Sequence, residues 1–127
     1  MVFDSGQPIY RQIIDDYQKQ LVRGELQPGD KIPSQREYAQ THQVNPNTVQ
    51  RAYREMEAMQ MVETIRGQGT FVRVGGAELQ RIRMDMAAEV LEYFIEEMRS
   101  LGFTQEDILQ MTARALGQKE VEADDRV

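Results

Sequence analysis

The sequence predicts a mainly α-helical fold with one small β-hairpin, and three observations support this fold class. Apolar residues recur at helical spacing in several segments that begin at a capping residue or a proline and end near a glycine. Two short β-rich runs surround Gly67-Gln68-Gly69, which indicates a hairpin with a tight loop. The chain has 127 residues and 40% hydrophobic content, enough for one domain or for a small domain with an arm.

The first helix is marked at both ends. The segment "PIYRQIIDDYQKQLVRG" starts with Pro8, a residue favoured in a first helical turn, and stops at Gly24. We therefore expect a helix over about residues 8–23. Its apolar residues at helical spacing are Tyr10, Ile13, Ile14, Tyr17 and Leu21.

The second helix follows a turn and a very short extended piece at Lys31 and Ile32. Ser34 and Glu37 have the S-x-x-E spacing of a capping box, in which each side chain accepts a hydrogen bond from the other residue's free backbone N–H. This pattern predicts a helix over about residues 35–41.

The third helix begins in the unusual stretch "VNPNTV". Asn45 is a suitable N-cap, and Pro46 fits the first helical position, where its missing N–H has no intrahelical partner to lose. At about 100° per residue, two faces separate. The packing face carries Val49, Ala52, Tyr53 and Met56, and the opposite face carries Asn47, Gln50, Arg51 and Arg54.

The order of these elements and the placement of charge point to a polyanionic partner. Helix, short turn, helix and hairpin is the order of a winged helix-turn-helix. The net charge is −6, yet residues 1–75 hold nine basic and nine acidic side chains, so the whole excess lies in residues 76–127. Two segments, 44–54 and 64–77, contain no acid. Overall acidity therefore does not exclude a polyanion at a local surface.

Three motifs in residues 26–72 resemble a known family. They are P-G-D-K-x-P-S-x-R-E around the second helix start, V-N-x-N-T-V at the third helix start, and G-x-G-T-F-V in the hairpin. Together they resemble the winged-helix domain of GntR-type bacterial transcription regulators, and the short helical tail is similar to the YtrA-like branch. The resemblance implies a regulator that binds double-stranded DNA and that is usually a repressor in this branch.

The resemblance also implies which residues contact DNA. Arg36 matches a family arginine that contacts DNA near the phosphates or a guanine edge. Asn45, Asn47 and Thr48 match polar positions at the recognition-helix start, and Gly67–Gly69 match the wing tip. The full set expected at the DNA is Lys31, Ser34, Arg36, Asn45, Asn47, Thr48, Gln50, Arg51, Arg54, Arg66, Gly67 and Gln68.

The chemistry of these side chains agrees with that assignment. A major groove admits one helix, whose N-terminal residues meet the base edges. Arg51 suits guanine O6 and N7, and Gln50 suits adenine. Phosphate contacts, which set affinity and salt dependence, are expected from four residues. They are Lys31, Arg36, Arg54 and Arg66. Two alternatives assign these arginines structural roles instead of DNA contacts. In them, Arg54 pairs with a neighbouring glutamate, and Arg36 forms a structural ion pair.

The fourth helix, predicted over about residues 77–100, has an apolar arc that spans more than half of its circumference. This arc is wider than one core contact requires, so we expect a second packing partner, the same helix of another subunit. The homodimer interface is predicted to contain Leu79, Ile82, Met86, Val90, Leu91, Phe94, Ile95 and Met98.

A fifth helix has clear start and stop residues. Thr104 is a suitable cap with Asp107 three residues later, and Phe103 and Ile108 occupy the two positions of a hydrophobic staple. Gly117 ends this helix. The domain prediction is therefore a winged helix-turn-helix domain at 1–75, a helical dimerisation arm at 76–117 and a disordered tail at 118–127.

Other function classes have little support in the sequence. With no cysteine and one histidine, the chain has no Cys-His or Ser-His-Asp set, no H-E-x-x-H and no G-x-x-x-x-G-K loop, so we expect no enzyme, metal or cofactor. No segment approaches a membrane span or a signal peptide, and we expect a cytoplasmic protein. Two alternatives stay open: a winged helix that binds proteins instead of DNA, and a small-molecule effector held in the Met-rich tail.

Overall fold

The computed structural model describes residue 3 and residues 6–118, and the predicted mainly helical fold with a small hairpin is confirmed. The elements, in order, are α1 (Ile9–Val22), β1 (Lys31–Ile32), α2 (Gln35–His42), α3 (Pro46–Ala58), β2 (Val62–Ile65), β3 (Gly69–Val72), α4 (Gly76–Ser100) and α5 (Gln105–Ala115). Each predicted helix is present with ends close to those expected. Residues 119–127 of the predicted disordered tail lie outside the described residues.

The chain divides into two compact units, Met1–Arg83 and Met84–Val127. The first unit therefore extends beyond the predicted boundary at residue 75 and includes the first turns of α4. Here Leu79 and Ile82 are half-buried against the core of their own chain. The functional division of the chain into a DNA-binding domain and a dimerisation arm stays a prediction.

The predicted capping box of α2 and the predicted Thr104 cap of α5 both form, and the α5 cap is also a capping box. The Ser34 hydroxyl accepts a hydrogen bond from the Glu37 backbone N–H at 3.1 Å, and the Glu37 carboxylate accepts one from the Ser34 N–H at 2.9 Å. Thr104 and Asp107 make the equivalent pair at 3.2 and 2.9 Å. These reciprocal bonds satisfy backbone donors that a helix start leaves free, which fixes the first turns of α2 and α5.

The core of the first unit lies between α1, α2, α3 and the sheet. Ile13 of α1 and Val49 and Met56 of α3 are fully inaccessible to solvent. The other buried members include Tyr17, Leu21, Ile32, Tyr38, Ala52, Tyr53, Met61, Val62 and Val72. Because α3 gives one complete face to this core, its opposite face is held outward.

The sheet has three antiparallel strands in the order β1-β3-β2. The predicted hairpin is the β2–β3 pair, with Val62 opposite Val72 and Ile65 opposite Gly69. The extended piece at Lys31 and Ile32 joins it as an edge strand beside β3, with Lys31 opposite Phe71. This pairing connects the segment before α2 to the hairpin after α3.

The second unit contains most of α4 together with α5. Ile108 and Ala113 of α5 are buried, whereas several large apolar side chains are exposed. These exposed side chains are Met84, Val90, Leu91, Tyr93, Leu101, Leu109, Met111 and Leu116. None of the helices within residues 6–118 has the length and apolar character that a membrane span requires.

Candidate nucleic-acid interface

The turn between α2 and α3 sets where the exposed face of α3 begins. Gln43 closes α2 in the left-handed conformation, with φ 53°, and Val44 is buried behind it. The Asn45 side-chain oxygen then accepts a hydrogen bond from the Asn47 backbone N–H at 2.8 Å, and Pro46 occupies the first helical position. The predicted cap and proline start of this helix are thus confirmed.

The two predicted faces of α3 are also confirmed. Val49, Ala52, Tyr53 and Met56 are buried. The opposite face, with Asn47, Gln50, Arg51 and Arg54, is exposed, and Thr48 at its edge is half-buried. The helix therefore presents amide and guanidinium donors, and its first turn has no acidic residue.

A shallow groove separates α2 from α3. Arg36, Ala39 and Gln40 line it from α2, and Asn47 and Gln50 line it from α3. The loop that precedes α2 is fixed to α3, because the Tyr53 hydroxyl donates a hydrogen bond to the Pro33 carbonyl at 2.6 Å. This hydrogen bond joins α3 to the loop that leads into α2. Arg36 of α2 and Gln50 of α3 are therefore presented on one surface.

Within the described residues, the candidate arginines form no ion pair with a carboxylate. The ion pairs between described residues are Lys19 with Asp15, Arg23 with Glu25 and Arg81 with Glu78. None of them involves the candidate arginines at positions 36, 51, 54 and 66. The alternatives of a structural ion pair for Arg36 and of an Arg54–glutamate pair find no support in the described chain. The charges of these guanidinium groups are available to an anion.

One contact at this surface was not predicted from the sequence. The guanidinium carbon of Arg51 lies 3.8 Å from the centre of the Tyr10 ring, so an α1 residue reaches the exposed face of α3. The sequence pattern assigned Tyr10 only to the apolar side of α1. The cleft between the starts of the two helices is lined by Tyr10, Asn47, Thr48 and Arg51 together with Pro8 and Ile9.

The hairpin tip forms a second exposed surface. Gly67 has φ +80°, a left-handed conformation that glycine adopts without strain, and the Gln68 N–H donates to the Ile65 carbonyl at 2.9 Å. Arg66, Gly67 and Gln68 are all exposed. The tight tip thus presents one guanidinium and one amide side chain.

Lys31 of β1 reaches toward this tip across Gly69. A Cβ at Gly69 would lie 2.6 Å from Lys31 Cε, so the absence of a side chain there gives the lysine its path. The structure therefore groups Lys31 with Arg66, Gly67 and Gln68 of the hairpin, while the remaining predicted contact residues lie on α2, α3 and the turns before them. Ser34 is exposed, and its hydroxyl oxygen serves the capping box of α2.

The described residues at these surfaces include no metal-binding cluster, and one nearby carboxylate is engaged in a helix cap. The part of the chain that the structure describes contains no group of three or more His, Cys, Asp or Glu side chains that could hold a metal ion. The Glu37 carboxylate is engaged at the start of α2, where the hydrogen bond from the Ser34 backbone lowers its pKa. The exposed side chains of α2, α3 and the hairpin thus form a surface that is rich in cationic and amide groups.

The described elements form a helix-turn-helix followed by an antiparallel hairpin, and the second of the two helices has an exposed face and no acidic residue in its first turn. This arrangement defines a winged-helix DNA-binding protein. The family model for "Bacterial regulatory proteins, gntR family" matches residues 9–72. The chain belongs to the GntR family of transcription regulators, and its relatives are regulators and not enzymes.

Two curated relatives and one solved structure illustrate the similarity. The chain is 49% identical over 108 residues to the HTH-type transcriptional regulator YhcF of Bacillus subtilis, covering 85% of this chain and 89% of YhcF. It is 39% identical to the transcriptional repressor YtrA of the same organism, covering 77% of this chain and 76% of YtrA, which supports the YtrA-like branch. A GntR family regulator from Listeria monocytogenes superposes with a TM-score of 0.79 at 37% identity, covering 88% of this chain and 98% of that one.

Proposed function

We propose that the protein is a homodimeric transcription repressor that acts in the cytoplasm and binds an inverted-repeat operator in double-stranded DNA. The observation that carries the proposal is the exposed face of α3, which starts at a capped helix end and bears Arg51 and Arg54 without ion pairs to the described carboxylates. A helix with this face fits a major groove, where its donors meet base edges and phosphates.

The proposed contacts divide into base recognition and backbone binding. Arg51 donates two hydrogen bonds to guanine O6 and N7, and Gln50 pairs with adenine. Asn45, Asn47 and Thr48 lie at the helix start, where the helix dipole also favours phosphate. The residues assigned to phosphates are Lys31, Arg36, Arg54 and Arg66, and Ser34, Gly67 and Gln68 complete the proposed DNA contacts. Backbone contacts set the register, and the few base contacts set the sequence preference.

The proposed dimer uses the apolar surface of α4. Val90 and Leu91 are 69% and 57% exposed, an unusual state for large apolar side chains on one helix. Leu79 and Ile82 belonged to the predicted interface, but they already pack against the core of their own chain, so we place the contact farther along α4. The dimer surface then consists of Met86, Val90, Leu91, Phe94, Ile95 and Met98.

The inverted repeat follows from the dimer, because two recognition helices related by a twofold axis contact two symmetric half-sites. Repression is supported by the likeness to YtrA, whose name describes a repressor. A small-molecule effector also stays a prediction. Thermal-shift measurements with a metabolite set would detect such an effector as a ligand-dependent rise in Tm.

The test is selection of bound genomic DNA fragments by the purified full chain, followed by sequencing and by titration of the enriched site at two salt concentrations. We expect one inverted repeat to be enriched and its affinity to fall steeply with salt, since bound arginines release counterions from the phosphates. Weak binding without a motif, unchanged by salt, would instead support the protein-interaction alternative.

A matched pair of charge reversals locates the binding surface. Arg51→Glu on α3 should abolish binding to the enriched fragment, whereas Arg83→Glu on α4 makes the same change of charge away from the proposed surface and should retain it. Equal losses in the two variants would show that only total charge matters and would reject α3 as the recognition helix.

A further inference from the structure

The contact between Tyr10 and Arg51 joins the start of α1 to the exposed face of α3. We propose that Tyr10 is a positioning residue for DNA recognition, which holds the guanidinium of Arg51 in the orientation that contacts a base. This inference rests on the proposed function, because it requires that Arg51 contact DNA. It assigns a role in sequence preference to a helix that lies outside the helix-turn-helix.

The geometry is that of a cation–π contact. The guanidinium carbon of Arg51 lies 3.8 Å from the ring centre of Tyr10, well within the roughly 6 Å over which a ring attracts a cation. A second guanidinium, that of Arg11, lies 5.8 Å from the same ring centre. Arg51 is therefore the closer partner, and its guanidinium carbon lies over the face of the Tyr10 ring.

A guanidinium stacked on an aromatic ring, as a separation of 3.8 Å allows, keeps the edges of its plane free. Arginine carries its five N–H donors around the edge of the plane, and a pair of them forms the fork that matches guanine O6 and N7. Arg51 also forms no ion pair with the carboxylates of the described residues. A ring that holds the plane without consuming donors presets this fork for a base.

Tyr10 is suited to this role because the fold fixes its ring. It is the second residue of α1, half-buried, and it packs against the hydrophobic core. Arg51, in contrast, is an exposed residue with a long side chain. Ordering such a side chain on binding costs affinity, so a contact made before binding preserves part of that affinity.

The proposed role extends from affinity to specificity. An arginine that is free to rotate reaches a phosphate or several base edges, whereas an arginine held in one plane favours the edge that lies in that plane. The cleft beside the ring is also lined by Asn47 and Thr48, two other residues proposed to contact DNA. Loss of the ring should therefore relax the preference at the base that Arg51 contacts.

The experiment is a double-mutant cycle on the full chain with the operator enriched from genomic DNA. Tyr10→Leu removes the ring, and Tyr10→Phe keeps the ring while it removes the hydroxyl; each is made with Arg51 present and with Arg51→Ala. We expect Tyr10→Leu to weaken binding about threefold to fivefold when Arg51 is present and to have no effect with Arg51→Ala. Tyr10→Phe should bind as the original protein does.

Two readouts separate positioning from a structural role. Selection of randomised half-sites should show that Tyr10→Leu and Arg51→Ala relax the preference at the same base pair, while Tyr10→Phe keeps it. A purely structural role would lower Tm and weaken binding equally with and without Arg51, and this outcome would overturn the inference. Unchanged affinity and preference in Tyr10→Leu would also overturn it.

The experiment distinguishes failure of the proposed function from failure of the role proposed for Tyr10. Absence of sequence-specific binding by the unmodified chain would reject the proposed function and, with it, the role of Tyr10. Specific binding that depends on Arg51 but shows no coupling to Tyr10 would retain the proposed function and reject only the positioning role.

Discussion

The phenolic oxygens of Tyr17 and Tyr53 lie 2.9 Å apart inside the core. Tyr53 uses its proton for the Pro33 carbonyl, at 2.6 Å, and a carbonyl only accepts, so Tyr17 must be the donor to Tyr53. This chain of two hydrogen bonds links α1, α3 and the loop before α2. It connects the elements that present Arg36 with those that present Arg51.

Removal of the Tyr53 hydroxyl should destabilise the protein. In Tyr53→Phe, Tyr17 loses its acceptor and the Pro33 carbonyl loses its donor, which is expected to cost about 1–3 kcal/mol of the free energy of unfolding. Urea denaturation followed by circular dichroism measures this loss. Tyr93→Phe is the matched control because Tyr93 is 67% exposed, and an equal loss in the control would contradict the role of the buried pair.

The three buried tyrosines of the core, Tyr17, Tyr38 and Tyr53, predict a loss of stability in alkali. Burial raises the pKa of Tyr53, Tyr17 and Tyr38 above the ordinary value of 10.0. A raised pKa means that the folded state holds the proton more tightly, so the stabilisation is complete below pH 10 and is lost as the pH rises above it. Urea denaturation at pH 8 and at about pH 11 measures how far the free energy of unfolding falls between the two pH values. This fall should be smaller for Tyr53→Phe than for the original protein. Equal losses would contradict this prediction.

The helix ends show what local sequence determines. The Ser34–Glu37 capping box and the Thr104 cap with Asp107 three residues later were predicted, and both form, because the bonds join residues three apart. The exposed face of α3 was also predictable, since helical periodicity separates it from a buried face.

Contacts between distant segments were not predictable in this way. The Tyr10–Arg51 contact, the path of Lys31 across Gly69 and the pairing of β1 with β3 depend on how α1, α3 and the sheet pack together. No local period contains that information. A tyrosine at the start of α1 has the same sequence pattern whether its ring meets an arginine or only the core.

The cap of α3 allows stability and DNA binding to be separated. Asn45→Ala removes the acceptor for the Asn47 N–H and should cost about 1 kcal/mol of stability. Asn45→Asp keeps an acceptor and places negative charge at a helix start, so stability should be retained. DNA affinity should follow the opposite order, about tenfold weaker for Asp than for Ala, since the carboxylate faces phosphate. Equal affinity of the two variants would place Asn45 away from DNA.

The path of Lys31 gives a prediction about Gly69. Gly69 has φ +129° and Gly67 has φ +80°, so alanine at either is strained and should cost about 1–3 kcal/mol. Only at Gly69 would the new Cβ also meet Lys31, at 2.6 Å from Cε. Because the flexible end of Lys31 can move aside, Lys31→Ala should recover about 0.5 kcal/mol of the Gly69→Ala cost and none of the Gly67→Ala cost. Unfolding free energies that simply add at Gly69 would show that Lys31 does not occupy this path.

The dimer surface is tested at Leu91, which is 57% exposed in a single chain. A carboxylate buried in an apolar interface has no partner there, so Leu91→Asp should shift the mass measured by light scattering from twice 14.7 kDa to 14.7 kDa. Arg99→Gln makes the same change of net charge on the polar face of α4 and should leave the dimer intact. The monomeric variant should also lose most of its affinity for a full operator while it keeps weak half-site binding, because each half-site is then bound independently. A dimeric Leu91→Asp protein would place the subunit contact elsewhere on the chain.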